Sequence, residues 1–176
     1  MTERIIIAGS GGQGILLLGK VLAEAAMREG NFVTWMPSYG AEVRGGTAHC
    51  MVVISDDEIG SPYIETADTL IIMNAPSLAR FKNRLKRKGL LLVNSSLAPR
   101  TAGKNVSLVH QPFTDIALRL GNIRIANMVA LGCFVGNRKI VTPKTVLQVI
   151  SDIAPKNKKD LVAINQKALE EGVRLQ

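Results

Sequence analysis

Two segments carry residue types that could do chemistry. Residues 9–14 read Gly9-Ser10-Gly11-Gly12-Gln13-Gly14 and follow the apolar run Ile5-Ile6-Ile7-Ala8. This is a G-x-G-x-x-G turn from strand to helix, which aims backbone N–H groups and the positive end of a helix at whatever lies above it. Such a turn favours an anion; its structural alternative is a tight turn with close helix-to-sheet packing, and the motif alone does not separate the two. A dinucleotide site also needs an acid about 20 residues further on, at the end of the second strand. That place reads Thr34-Trp35-Met36-Pro37 and holds no acid.

The second segment stands where that acid would be: Pro37-Ser38-Tyr39-Gly40-Ala41-Glu42-Val43-Arg44-Gly45-Gly46-Thr47. Its glycines let the chain turn sharply or let another backbone come close. Glu42 and Arg44 are two apart, hence on one side if the chain is extended, where they could pair with each other or with groups of a partner. His49 and His110 are the only histidines. His49 falls inside an expected strand and reads as a packed or edge side chain, and no Ser-His-Asp or Cys-His set can be assembled. Cys50 and Cys133 lack the CxxC or Cys/His spacing of a zinc or iron–sulfur site and read as reduced and buried.

The elements that must position these segments follow from periodicity and punctuation. Residues 4–8 form a buried strand and Gln13–Glu29 a helix apolar on two sides, stopped by Gly30. Strands follow at 31–36 and 48–55. Their linker has no helical period, which predicts antiparallel neighbours. Further strands are expected at 69–74, 90–94 and 106–110. Helices are expected at 77–88, ended by Gly89, at 114–120, at 125–135, from Thr142-Pro143 to about 153, and from a capping Asp160 to about 171, with a solvated connection over 154–159. The fold class is a single three-layer Rossmann-like α/β domain over residues 1–176, with a mostly parallel mixed sheet flanked by helices.

Charge is unevenly spread. Residues 1–68 hold 9 acids and 4 bases, whereas residues 69–151 hold 13 bases and one acid, Asp115. The densest part is Arg80, Lys82, Arg84, Lys86, Arg87 and Lys88, a surface for phosphates, nucleic acid or an acidic protein face, or simply a solvated helix face. With one Trp, two Tyr and four Phe and no binding signature interleaved with the basic cluster, nucleic acid is not expected as a partner. No apolar run is long enough for a membrane span and no signal-peptide pattern opens the sequence, so the expectation is a cytoplasmic protein without a membrane partner.

Residues 7–14, then Pro37 through Cys50, then Asp68 ahead of a strand and Asn94-Ser95 after one, together resemble the gamma subunit of 2-oxoacid:ferredoxin oxidoreductases, a likeness that spans most of the chain. The resemblance makes residues 1–176 one gamma-type domain. It implies a complex that oxidatively decarboxylates a 2-oxoacid (pyruvate, 2-oxoglutarate or ketoisovalerate, overall likeness leaning to 2-oxoglutarate) with coenzyme A, giving acyl-CoA, CO2 and reduced ferredoxin. It implies thiamine diphosphate, Mg and iron–sulfur clusters in alpha, beta and ferredoxin-like delta partners, no cofactor in this chain, inactivity alone, and a homodimer as the form open to the isolated chain. Gly9, Gly11, Gly12, Gln13, Gly14 and Arg44 are then candidates for the vicinity of coenzyme A, and Tyr39, Glu42, Arg44, Gly45 and Gly46 for a subunit interface. The alternative is a stand-alone Rossmann-like nucleotide-binding oxidoreductase.

Overall fold

The computed structural model describes residues 1–39, 47–101, 105–154 and 159–175. Glu42, Arg44, Gly45, Gly46 and the connection 155–158 therefore lie outside the described residues, as does the side chain of Tyr39.

The apolar run at the N-terminus becomes β1 (Thr2–Ser10), the inner strand of a six-stranded sheet ordered β2-β3-β1-β4-β5-β6. Its neighbours are β3 (Thr47–Ser55), antiparallel, and β4 (Ala67–Ile72), parallel. β2 (Phe32–Tyr39) pairs antiparallel with β3, as the helix-free linker predicts. β5 (Leu85–Asn94) and β6 (Ser107–Gln111) continue in parallel beyond β4. Only β3 runs against the rest, so the sheet is mixed but mostly parallel.

Alternation along β1 feeds two cores. Ile5 and Ile7 meet Leu18, Leu22, Val129 and Phe134 on the face covered by α1 (Ile15–Arg28), α3 (Phe113–Arg119), α4 (Ala126–Arg138), α5 (Pro143–Ile153) and α6 (Lys159–Val173). Ile6 and Ala8 meet Leu78, Phe81 and Ile64 on the other face, where α2 (Ala75–Phe81) is the only helix among the described residues. Both faces being dry explains why this strand reads as an unbroken apolar run. Helix ends follow the punctuation in the sequence. Gly30, at φ +86, closes α1, while Thr142 Oγ1 accepts the Thr145 N–H ahead of a first-turn Pro143 in α5.

Two expectations need correction. The basic helix expected over 77–88 stops at Phe81 and passes through a 3-10 turn at Lys82–Arg84, so that Lys86, Arg87 and Lys88 belong to β5. Strand pairing overrides helical propensity here: Leu85 registers with Ala67 and Leu90 with Thr69, so β5 bulges outward between them. Gly89 is not a helix stop; a Cβ there would lie 2.9 Å from the Asp68 carbonyl oxygen. Asp160, expected to cap α6, sits inside its first turn, where its charge complements the helix dipole.

The last helix is held by contact between backbones. A Cβ on Gly132 of α4 would strike the Leu169 carbonyl oxygen of α6, and one on Gly172 would strike the Val129 carbonyl. Gly172→Ala must push α6 off α4, an overpacking cost of about 2 kcal/mol, or a fall of roughly 5 °C in Tm for a chain of this size. Thermal unfolding followed by circular dichroism checks this; an unchanged midpoint would mean that the helices can separate freely.

Candidate functional site

The C-terminal ends of the parallel strands gather the polar residues. α1 leaves β1 toward one face of the sheet and α2 leaves β4 toward the other, which opens a crevice between these adjacent strands. The same edge receives the two described ends of the second sequence segment, because the register places Thr47 opposite Ser10 and Ala48 opposite Tyr39. Two motifs separated in sequence thus end side by side.

Side-chain amides line this edge. Gln13 folds back over the turn: its Oε1 accepts the Ser10 N–H at 2.7 Å and the Ser10 hydroxyl at 3.1 Å, while its Nε2 donates to the Met73 carbonyl at 3.3 Å. Asn74 Nδ2 donates to Ser10 Oγ at 3.1 Å, and Asn74 Oδ1 caps α2 through the Ser77 N–H. Asn94, fully buried, donates to Met73 O and to Thr114 Oγ1 and accepts the Thr114 N–H, joining β4, β5 and α3. Each of these residues saturates another, so the edge is rigid before any ligand arrives.

The glycines of the turn divide by role. Gly12 takes φ +90 with open space where a Cβ would stand. Gly9 yields room to Gln13 and Ile15, and Gly14, at φ +71, would strike Asn127 if it carried a side chain. Gln13, expected near a phosphate-bearing ligand, spends its amide on Ser10 and Met73. What stays open is the end of α1: it has no capping side chain and no acid in its first turn, so its leading N–H groups and dipole face outward. Beside it runs a groove of about 640 Å³ lined by Leu17, Asn122, Arg124, Asn127, Leu161 and Asn165. Asn127, whose Nδ2 donates to the Gly14 carbonyl at 3.2 Å, joins turn to groove.

Asn74, Thr114 and Asn127 were not singled out from the sequence. The available signal was slight: Asn74 directly follows an apolar strand run, as Asn94 does. The basic cluster is not part of this edge. Arg87 and Lys88 sit where β5 begins, at the opposite end of the sheet. Arg84 stacks on Tyr63 and donates to the Glu65 carbonyl, and Lys86 pairs with Asp68 at 2.6 Å.

Among the described residues the donor set suits neither an iron–sulfur cluster nor a metal ion. Cys50 and Cys133 lie on different elements, both buried, with thiols pushed up to about 12 by burial, and a four-thiolate cluster needs more than two such ligands. Among the described residues no group of three or more His, Cys, Asp or Glu could hold a metal ion, and no helix is long and apolar enough to cross a membrane.

His49 is packed, not at an edge: β3 has neighbours on both sides, and the ring lies 5.0 Å from that of Phe81. Burial, then Arg80 and Arg84, hold its pKa below the ordinary value, so the imidazole is neutral at pH 7. A His depressed in the fold contributes stability above its unfolded pKa of about 6.5, and that stability is lost as pH falls through the folded value. The urea midpoint should therefore drop between about pH 7 and pH 5, and His49→Gln should shrink the drop; equal slopes in both proteins would remove His49 as the cause.

Comparison with known proteins bears on the whole chain. Residues 4–175 match the family described as pyruvate ferredoxin/flavodoxin oxidoreductase. Ketoisovalerate oxidoreductase subunit VorA of Methanothermobacter thermautotrophicus is 44% identical over 129 residues, 73% of this chain but only 27% of that subunit. The chain thus spans about a quarter of the length of the ketoisovalerate oxidoreductase subunits it matches. The 2-oxoglutarate synthase subunit KorC of the same organism is 35% identical over 161 residues, covering 87% of this chain and 85% of KorC. A solved 2-oxoglutarate:ferredoxin oxidoreductase from Magnetococcus marinus, with 2-oxoglutarate, coenzyme A and succinyl-CoA bound, superposes with a TM-score of 0.91 at 25% identity, over 99% of this chain and 31% of its own. A match along nearly the full length places this chain in the pyruvate ferredoxin/flavodoxin oxidoreductase family.

Proposed function

We propose that this chain is the gamma-type subunit of a 2-oxoacid:ferredoxin oxidoreductase, which converts a 2-oxoacid and coenzyme A to acyl-CoA, CO2 and reduced ferredoxin. Full-length similarity to KorC, a subunit of that class of enzyme, carries the reading. Thiamine diphosphate, Mg and the iron–sulfur clusters belong to alpha, beta and ferredoxin-like delta partners, since the donor set of the described residues suits none of them. The subunit is inactive alone and works in a cytoplasmic complex; no helix among the described residues is long and apolar enough to cross a membrane. The substrate is a 2-oxoacid. Similarity does not rank the acids: a ketoisovalerate relative has the higher identity over the shorter span, and a 2-oxoglutarate relative the reverse.

Its contribution is assembly and the shaping of coenzyme A's approach. The uncapped start of α1 and the adjoining groove past Asn127 and Arg124 suit a ligand with phosphates at one end and an amide arm at the other. Gly9, Gly11, Gly12 and Gly14 shape the turn, and Gln13 holds it. Arg44, from the second sequence segment, supplies charge to coenzyme A, and Tyr39, Glu42, Arg44, Gly45 and Gly46 serve the subunit interface. In the assembled complex, Arg44→Ala should weaken coenzyme A binding by roughly tenfold, the loss of one charge-assisted contact of about 1.4 kcal/mol. Isothermal titration with coenzyme A measures it. Subunit dissociation without a selective change in that affinity would make the loop interface only. Micromolar binding of NAD(P)H or FAD to the isolated chain would instead support a stand-alone nucleotide-binding oxidoreductase.

A further inference from the structure

The start of β5 is the most unusual backbone in the sheet. Five steps of chain from Leu85 to Leu90 face two steps of β4 from Ala67 to Thr69, so Lys86, Arg87, Lys88 and Gly89 arch away from the ladder. The arch is tied at its base. Lys86 Nζ reaches Asp68 at 2.6 Å, and the Lys88 N–H donates to the Asn105 carbonyl at 2.6 Å. Lys88 is thereby held at φ +63, a left-handed conformation that costs a side-chain-bearing residue and that glycine would adopt freely. Strain kept at an exposed position is a reason to look for a function of the side chain it presents.

That side chain is a cation with cationic neighbours. Arg87, Lys88 and Lys82 are exposed, and among the described residues none of them enters an ion pair. The carboxylate that the register brings opposite the arch, Asp68, is occupied by Lys86 and by Arg4. The one acid of residues 69–151, Asp115, lies on α3, its backbone joined to Ser96 at the far end of the sheet. A projecting, uncompensated positive arch on a rigid sheet edge steers an acidic surface toward one orientation.

Resting on the function proposed above, we propose that the Lys82, Arg87 and Lys88 edge docks the acidic face of the ferredoxin that accepts electrons from the complex. This chain then orients the carrier against a cluster held by a companion subunit. It carries no electrons itself.

The test uses the assembled enzyme and compares reduction of ferredoxin with reduction of methyl viologen, a small acceptor that needs no protein docking. Arg87→Glu with Lys88→Glu should raise the ferredoxin KM on the order of tenfold at low salt and flatten its salt dependence, with viologen turnover unchanged. Lys144→Glu with Lys167→Glu, an equal charge change on exposed positions of α5 and α6, should leave the ferredoxin KM alone. Lys88→Gly should raise Tm by relaxing the left-handed residue and still raise the KM, which separates docking from folding. An unchanged ferredoxin KM in the arch variants with viologen turnover intact overturns the proposal, as does an equal rise in the distant pair. A wild-type complex that reduces viologen with no 2-oxoacid overturns the parent function, and the docking role falls with it.

Discussion

Everything in this fold depends on β1 being satisfied on all four sides. Its two edges are paired, antiparallel to β3 and parallel to β4, so its buried backbone groups find partners without water. Its two faces bury Ile5 and Ile7 in one core and Ile6 and Ala8 in the other. A strand so enclosed cannot slip by one residue without exchanging its faces, and this locks the height at which Ser10 leaves the sheet. The turn, the start of α1 and the register of Thr47 all inherit that height.

The polar edge above the strands shows how a site is held by residues that need not touch a ligand. Gln13, Asn74, Asn94 and Thr114 form a chain of hydrogen bonds that runs from the turn across β4 to β5 and α3. Such a network in a low-dielectric setting fixes geometry more firmly than its separate bonds suggest. At the other end of the sheet a second network does comparable work. Arg138 of α4 reaches Glu3 of β1 at 2.9 Å, and Thr69 of β4 donates to the same carboxylate at 2.5 Å. Burial raises the pKa of Glu3, while Thr69 and Arg138 act against that rise. The two clusters pin opposite ends of β1 and β4, and the dry cores lie between them.

The family comparison gives this rigidity a purpose. In VorA and in the Magnetococcus enzyme the matching region is about a quarter to a third of a longer chain, whereas KorC is matched along most of its length. Within this chain, close backbone packing through Gly132 and Gly172 holds the last helix of the layer against α4.

Much was readable in the residues alone. The apolar run at 4–8, the helix stop at Gly30, the cap at Thr142 and the antiparallel pairing of the second and third strands each follow from local chemistry, and each appears as expected. The local reading failed where partners distant in sequence decided the outcome. Lys86, Arg87 and Lys88 look helical until Ala67 and Asp68 are set beside them; strand pairing and an ion pair then draw them into β5. His49 could be an edge or a packed residue until β1 and β2 flank its strand. The partner of the Gln13 amide, Met73, lies sixty positions away and is equally invisible to local spacing. The sequence by itself determined most element types, the glycine turn and the family, because these are written in short-range spacing, whereas the stretch Lys86 to Lys88 was settled by strand pairing. Tertiary structure alone decided which polar groups are already satisfied and at which end of the sheet the positive charge gathers, because both depend on which strand lies next to which.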